Sequence, residues 1–114
     1  MTRATWKIRL GDEAERDFAE IPKYTHDTFG AQQVAVYRTT LIDALAELAS
    51  GPDALGSVKR DEILLNLRTV HVARRGRRGR HFIIYRATTD SVIEVIRILH
   101  DRMDLVRNLP ANLE

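Results

Sequence analysis

The hydrophobic spacing of this chain changes period once, and that change limits what it can fold into. Up to about Ser50 the apolar residues recur every three or four positions. Ala14, Phe18 and Ile21 form one run, and Val34, Tyr37, Leu41, Ala44, Leu45 and Leu48 form another. This is the spacing of helices that bury one stripe. From Leu64 onward the pattern becomes β-branched and alternating. Leu67, Thr69, Val70, His71 and Val72 read as a strand, as do Phe82-Ile83-Ile84-Tyr85 and Val92-Ile93-Glu94-Val95-Ile96-Arg97-Ile98-Leu99. The last is apolar at consecutive positions, which predicts a central strand covered on both faces. Near the start, Trp6-Lys7-Ile8-Arg9-Leu10 alternates as a half-buried strand does. The order β-α-α-β-β-β predicts an α+β domain, with a helical hairpin packed on one face of a mostly antiparallel sheet. The other sheet face and the end of the last strand are then the places with room for function.

Turn residues set the boundaries. Gly11 breaks the first strand and Asp12 is placed to cap the helix that follows, with Glu13 and Glu15 at its positive dipole end. Pro22 either interrupts that helix, whose end then falls near Tyr24, or starts a second short turn. Phe29-Gly30 precedes a second helix from Ala31 to Ser50, and Gly51-Pro52 stops it. Arg74-Arg75-Gly76-Arg77-Arg78-Gly79-Arg80 reads as a basic hairpin turn and Thr88-Thr89-Asp90-Ser91 as a second turn. Met103, Val106 and Leu109 have the spacing of a short helical turn in the tail.

Composition narrows the function classes. With 114 residues, 44 % apolar and 30 % charged, residues 1–114 are expected to form one globular domain. Cysteine is absent, which removes disulfide scaffolds, thiolate metal sites and cysteine nucleophiles together. There is neither a long apolar run nor a secretory leader, so the expected location is the cytoplasm, with no membrane partner. Residues 1–57 carry 6 Lys and Arg against 9 Asp and Glu, whereas residues 58–114 carry 12 against 7. A basic C-terminal half suits an acidic or polyanionic partner.

Four pieces in this order resemble the RelE/ParE superfamily of toxins from bacterial type II toxin–antitoxin systems. They are Trp6-Lys7-Ile8-Arg9-Leu10 with Ala14, Asp17, Ile21, Tyr24 and Phe29-Gly30; Leu41-Ile42-Asp43-Ala44-Leu45 with Leu48-Ala49 and Pro52; Gly79-Arg80-His81-Phe82-Ile83-Ile84-Tyr85-Arg86; and Ile93-Glu94-Val95-Ile96-Arg97-Ile98-Leu99-His100 with Arg102, Met103 and Asp104. The last piece is most similar to the ParE branch. The resemblance implies a toxin neutralised by an acidic, ParD-like cognate antitoxin. It also implies inhibition of DNA gyrase without a catalytic site of the toxin's own, and no cofactor. DNA would be met only through the antitoxin or the gyrase complex. The RelE branch implies the alternative, a ribosome-dependent messenger-RNA endoribonuclease.

That alternative needs a base, an acid and cations around the scissile phosphate. Tyr85, Arg97 and His100 are the candidates, with Arg80 and His81 beside them. Phe82 stands where RelE-type relatives commonly carry an arginine, and Asp101 follows His100, so the ribonuclease pattern is incomplete. Under the gyrase reading the candidate target contacts are Arg74, Arg75, Arg77, Arg78 and Arg80 of the basic turn, with Arg97, His100 and Arg102 at the end of the last strand. Each has a plainer reading. The arginines can be a solvated turn that protects a sheet edge. His100 can fix the C-terminal turn through Asp101 or Asp104. His71 and His81 can be solvated strand residues facing one another across the hairpin, too few for zinc. Gly76 and Gly79 serve the turn. Trp6, Phe18 and Tyr37 read as core. On the outer side of the helix pair, Ala31, Ala35, Ala46 and Ala49 leave a smooth surface for an antitoxin segment.

Overall fold

The computed structural model describes residues 5–74, 76–111 and 113. Strand β1 (Lys7–Leu10) leads into helices α1 (Asp12–Phe29) and α2 (Ala31–Glu47), the second ending in a 3-10 turn at Leu48–Ser50. Strands β2 (Val58–Lys59), β3 (Leu67–His71), β4 (His81–Ala87) and β5 (Val92–His100) follow. The sheet order is β1-β5-β4-β3-β2. Only the β1–β5 pair is parallel. The fold is α+β with two helices on a mixed, mostly antiparallel sheet. The short edge strand β2 carries no alternation that the sequence could reveal.

Helix α1 departs from expectation at both ends. Gly11 is its N-cap and Asp12 its first residue. The Gly11 N–H bonds Val95 O at 2.8 Å, so the chain is anchored to β5 by backbone where a side-chain cap was expected. The helix also runs through Pro22 to Phe29. A proline inside a helix costs about 3 kcal/mol or more. Ile21 and Thr25 are buried on either side of it, and the Thr25 hydroxyl donates to Ile21 O at 2.9 Å. Tertiary burial of that face carries the helix past the proline. Gly30, with φ of 91°, both terminates α1 and starts α2.

Two apolar layers sandwich the sheet. Between helices and sheet lie Ala14, Ile21, Leu41, Ala44, Leu48, Val70, Ile83, Tyr85, Val95 and Ile98. On the opposite face Leu67, Ile84, Ile96 and Leu99 are covered by Ile63, Leu64, Leu105, Leu109 and Leu113. The second face is therefore filled by the chain's own C-terminal segment, contrary to the expectation that it stands open. Two arginines hold this segment down. Arg86 donates to Leu113 O at 2.8 Å and Arg97 to Asn108 O at 2.7 Å. A register shift between Ile84 and Tyr85 inserts Ile96 as an extra residue in β5. Such a bulge re-aims the neighbouring side chains.

The tie between helix and sheet is polar. Asp17 on α1 accepts Arg97 Nε and Nη2, each at 2.8 Å, and the Ile98 backbone N–H at 2.9 Å. The two side chains are only 12 % and 17 % exposed. Asp17→Ala would strand the guanidinium away from water. Urea unfolding should then show a loss of about 3–5 kcal/mol. A loss below 1 kcal/mol would mean that the pair behaves as a surface ion pair.

Candidate functional site

The basic turn divides into two functional groups. Arg74 and Arg77 donate to the two carboxylate oxygens of Glu47 at the end of α2, both at 3.1 Å. Their side chains are 14 % and 17 % exposed, which makes them clamps between turn and helix. Arg75 lies outside the described residues. Arg78 and Arg80 make no side-chain hydrogen bond or ion pair among the described residues. Gly76, with φ of 80°, serves the turn's geometry as expected. Gly79 has a different reason. A Cβ there would run into Val72 Cγ2 and stand 3.1 Å from the Tyr37 ring. Only glycine lets the strand pass that closely.

Tyr37 packs its ring against the core as expected, but periodicity could not foresee its hydroxyl. Its position in the stripe of α2 predicts core, but its hydroxyl reaches the start of β4. It accepts the Arg80 backbone N–H at 2.9 Å and meets His81 Nδ1 at 2.6 Å. With one N–H already donated to it, the tyrosine O–H donates to His81, whose proton is thereby assigned to Nε2. His81 is buried at 5 % exposure, not the solvated residue expected. Burial first, and then the neighbouring His100, lower its pKa from 6.5 to about 4. Burial likewise raises that of the Tyr37 hydroxyl. The pair is a neutral hydrogen bond at the mouth of the fold.

The other histidines pair differently from the expectation. His71 lies opposite Phe82 in the β3–β4 register, and His81 lies opposite His100. The His81 and His100 rings sit edge to face with centroids 5.4 Å apart, and Tyr24 of α1 approaches His100 at 6.0 Å. Asp101 turns to His71, whose Nε2 donates to its carboxylate at 3.1 Å while Nδ1 accepts the Ala73 N–H. That hydrogen bond holds the Asp101 carboxyl below its ordinary pKa. His100 Nδ1 accepts the Arg102 N–H at 3.2 Å, so the residue does brace the C-terminal turn.

The candidate ribonuclease trio is not assembled. The Tyr85 side chain is fully buried in the helix-facing core and its hydroxyl donates to Pro52 O at 2.7 Å. The Arg97 fork is on Asp17. What the fold does bring together is a groove beside the helical hairpin. One lobe, of about 560 Å³, is lined by Tyr24, Phe29, Val36, Tyr37, Arg78 and Arg80. A second, of about 370 Å³, is lined by Tyr24, Phe29, Arg80, His100 and Arg102. Tyr24, Phe29 and Val36 are exposed, and the sequence offered no signal for them beyond the loop-like Phe29-Gly30. Volumes in this range suit a bound segment or small molecule. Among the described residues no His, Cys, Asp and Glu cluster could hold a metal ion, and no helix is long and apolar enough to cross a membrane.

The His81 pKa carries a stability consequence. An unfolded histidine protonates near pH 6.5, so from about 6.5 down to about 4 the unfolded chain binds more protons than the folded one. Stability contributed by the buried neutral ring is complete above pH 6.5. It falls with falling pH by up to about 1.4 kcal/mol per unit. Urea unfolding measured between pH 7 and 4.5 should show this slope, and His81→Gln should flatten it by up to one proton. Equal slopes in the two proteins would mean that His81 protonates alike in both states.

The chain matches, over residues 8–105, the family described as the ParE toxin of the type II toxin–antitoxin system parDE. It is similar to Toxin ParE1 of Mycobacterium tuberculosis, with 34 % identity over 100 residues covering 88 % of this chain and 94 % of that protein. Toxin ParE of Escherichia coli is 31 % identical over 105 residues, covering 92 % and 94 %. Among solved structures, a chain of the chromosomal ParDE system from P. aeruginosa superposes with a TM-score of 0.66 at 14 % identity, covering 87 % of this chain and 98 % of that one. A chain of the RelBE2 toxin–antitoxin complex from Mycobacterium tuberculosis gives 0.53 at 19 % identity, covering 84 % and 98 %. At such identities these two likenesses speak for the fold alone. Taken with the family match and the curated relatives, the chain belongs to the ParE toxins of type II toxin–antitoxin systems.

Proposed function

We propose that this toxin acts in the cytoplasm by binding DNA gyrase, and that an acidic cognate antitoxin neutralises it. The observation that carries the binding reading over the ribonuclease one is the engagement of Tyr85 and Arg97. RNA cleavage would need both at a phosphate, yet one is tied to Pro52 O inside the core and the other to Asp17. Releasing either would cost a buried hydrogen bond or strand a buried charge. For the target contacts we propose Arg78, Arg80, His100 and Arg102. Arg74, Arg77 and Arg97 serve the fold.

The antitoxin partner is supported by the company the relatives keep. One solved relative belongs to a ParDE system and another to a RelBE2 toxin–antitoxin complex. An acidic segment suits a groove with an apolar floor and unpaired arginines on its rim.

Purified toxin incubated with gyrase, ATP and supercoiled plasmid should yield protein-trapped linear DNA, and the antitoxin should abolish it. Charge reversal at Arg78, Arg80 and Arg102 together should lower the linear yield by at least tenfold, since steering and docking both depend on those charges. Normal supercoiling with no linear product would refute the gyrase reading. Cleavage of ribosome-bound messenger RNA instead would establish the alternative.

A further inference from the structure

Seven of the thirteen described arginines hold a carboxylate, Arg60 among them through Glu62, while Arg16, Arg38 and Arg107 make no such pair among the described residues. Arg9 and Arg86 hold Glu94, Arg68 holds Asp53, Arg74 and Arg77 hold Glu47, and Arg97 holds Asp17. Arg78, Arg80 and Arg102 make no side-chain hydrogen bond or ion pair among the described residues, and all three line the groove beside the helical hairpin. The same groove exposes two aromatic rings, Phe29 at 62 % and Tyr24 at 46 %. Its two lobes share Tyr24, Phe29 and Arg80, so rings and cations line adjoining parts of one surface. Asp101 accepts from His71 and feels the Arg80 charge, both of which help hold its carboxyl pKa down, without forming an ion pair with Arg80 or Arg102 among the described residues.

Unpaired guanidiniums attract any polyanion. The rings discriminate among them. Exposed aromatic rings beside cations suit a chain that carries both charges and flat apolar groups, with phosphates on the arginines and bases stacked on the rings. A duplex keeps its bases stacked on one another and offers these rings nothing. We propose that this groove binds single-stranded nucleic acid directly, with Phe29 and Tyr24 as stacking platforms and Arg78, Arg80 and Arg102 as phosphate contacts. This goes beyond the gyrase reading and does not depend on it, because the contact is made by the toxin alone.

The test is fluorescence anisotropy of the purified full chain with labelled oligothymidylate and oligouridylate, each of about a dozen nucleotides, within the usual range of single-strand sites. Saturable binding is expected, and comparison of the two probes decides whether DNA or RNA is preferred. Phe29→Ala should weaken binding roughly tenfold with the salt dependence unchanged, as loss of a stacking platform does. Arg102→Ala should weaken it and lower the log–log salt slope by about 0.7, the value for one phosphate contact on a single strand. Both residues are exposed, and far-ultraviolet circular dichroism of each variant checks that the fold survives. The proposal is overturned if neither oligonucleotide binds, or if both variants bind as tightly as the parent. Equal affinity for a duplex or for an oligoglutamate peptide would also overturn it, since the rings would then play no part.

Discussion

The Asp17 carboxylate is the joint on which the arrangement turns. It receives a guanidinium fork and a backbone N–H from β5 on a residue of α1, so one side chain fixes the helical hairpin's position over the central strand. The same guanidinium reaches on to Asn108 O and pins the C-terminal segment. Helix, sheet and tail are thus tied through a single charged group. Such a pair contributes little net stability against apolar residues of equal volume, but removing one partner is costly, so it favours one arrangement over others.

A consequence runs to the far face of the sheet. With Leu105, Leu109 and Leu113 packed on Leu67, Ile84 and Leu99, that face is interior. Residues that look available in the alternating strands are committed to packing or to fastening the tail. Among the described residues, an open groove remains at the rim where α1, α2, the basic turn and the end of β5 converge.

That rim is prepared by hydrogen bonds that leave specific cations over. Glu47 draws Arg74 and Arg77 inward, and the Tyr37–His81 bond closes the strand's start against α2. Gly79 permits the close approach. Arg78, Arg80 and Arg102 make no side-chain hydrogen bond or ion pair among the described residues. A cluster of like charges within a few positions would repel unless some were paired, and this division relieves it.

The sequence alone determined the order of the elements apart from the short edge strand β2, because helical and strand periods are local properties written in side-chain spacing. The interior place of β5, between β1 and β4, followed from its pairs of adjacent apolar residues, and the helix-facing stripe from Ala14, Ile21, Leu41 and Leu48. The family was legible in the same pieces. The tertiary structure decided what periodicity cannot encode. Pro22 sits inside a helix because the packing of Ile21 and Thr25 outweighs its local cost. Tyr37 has the spacing of a core residue, yet its hydroxyl extends beyond the core to His81. The described arginines of the turn and the last strand have equal chemistry, and Arg74, Arg77 and Arg97 take a structural role only because Glu47 and Asp17, distant in sequence, come to rest beside them. Local spacing reports which residues are buried; which charges are neutralised is settled only when distant segments meet.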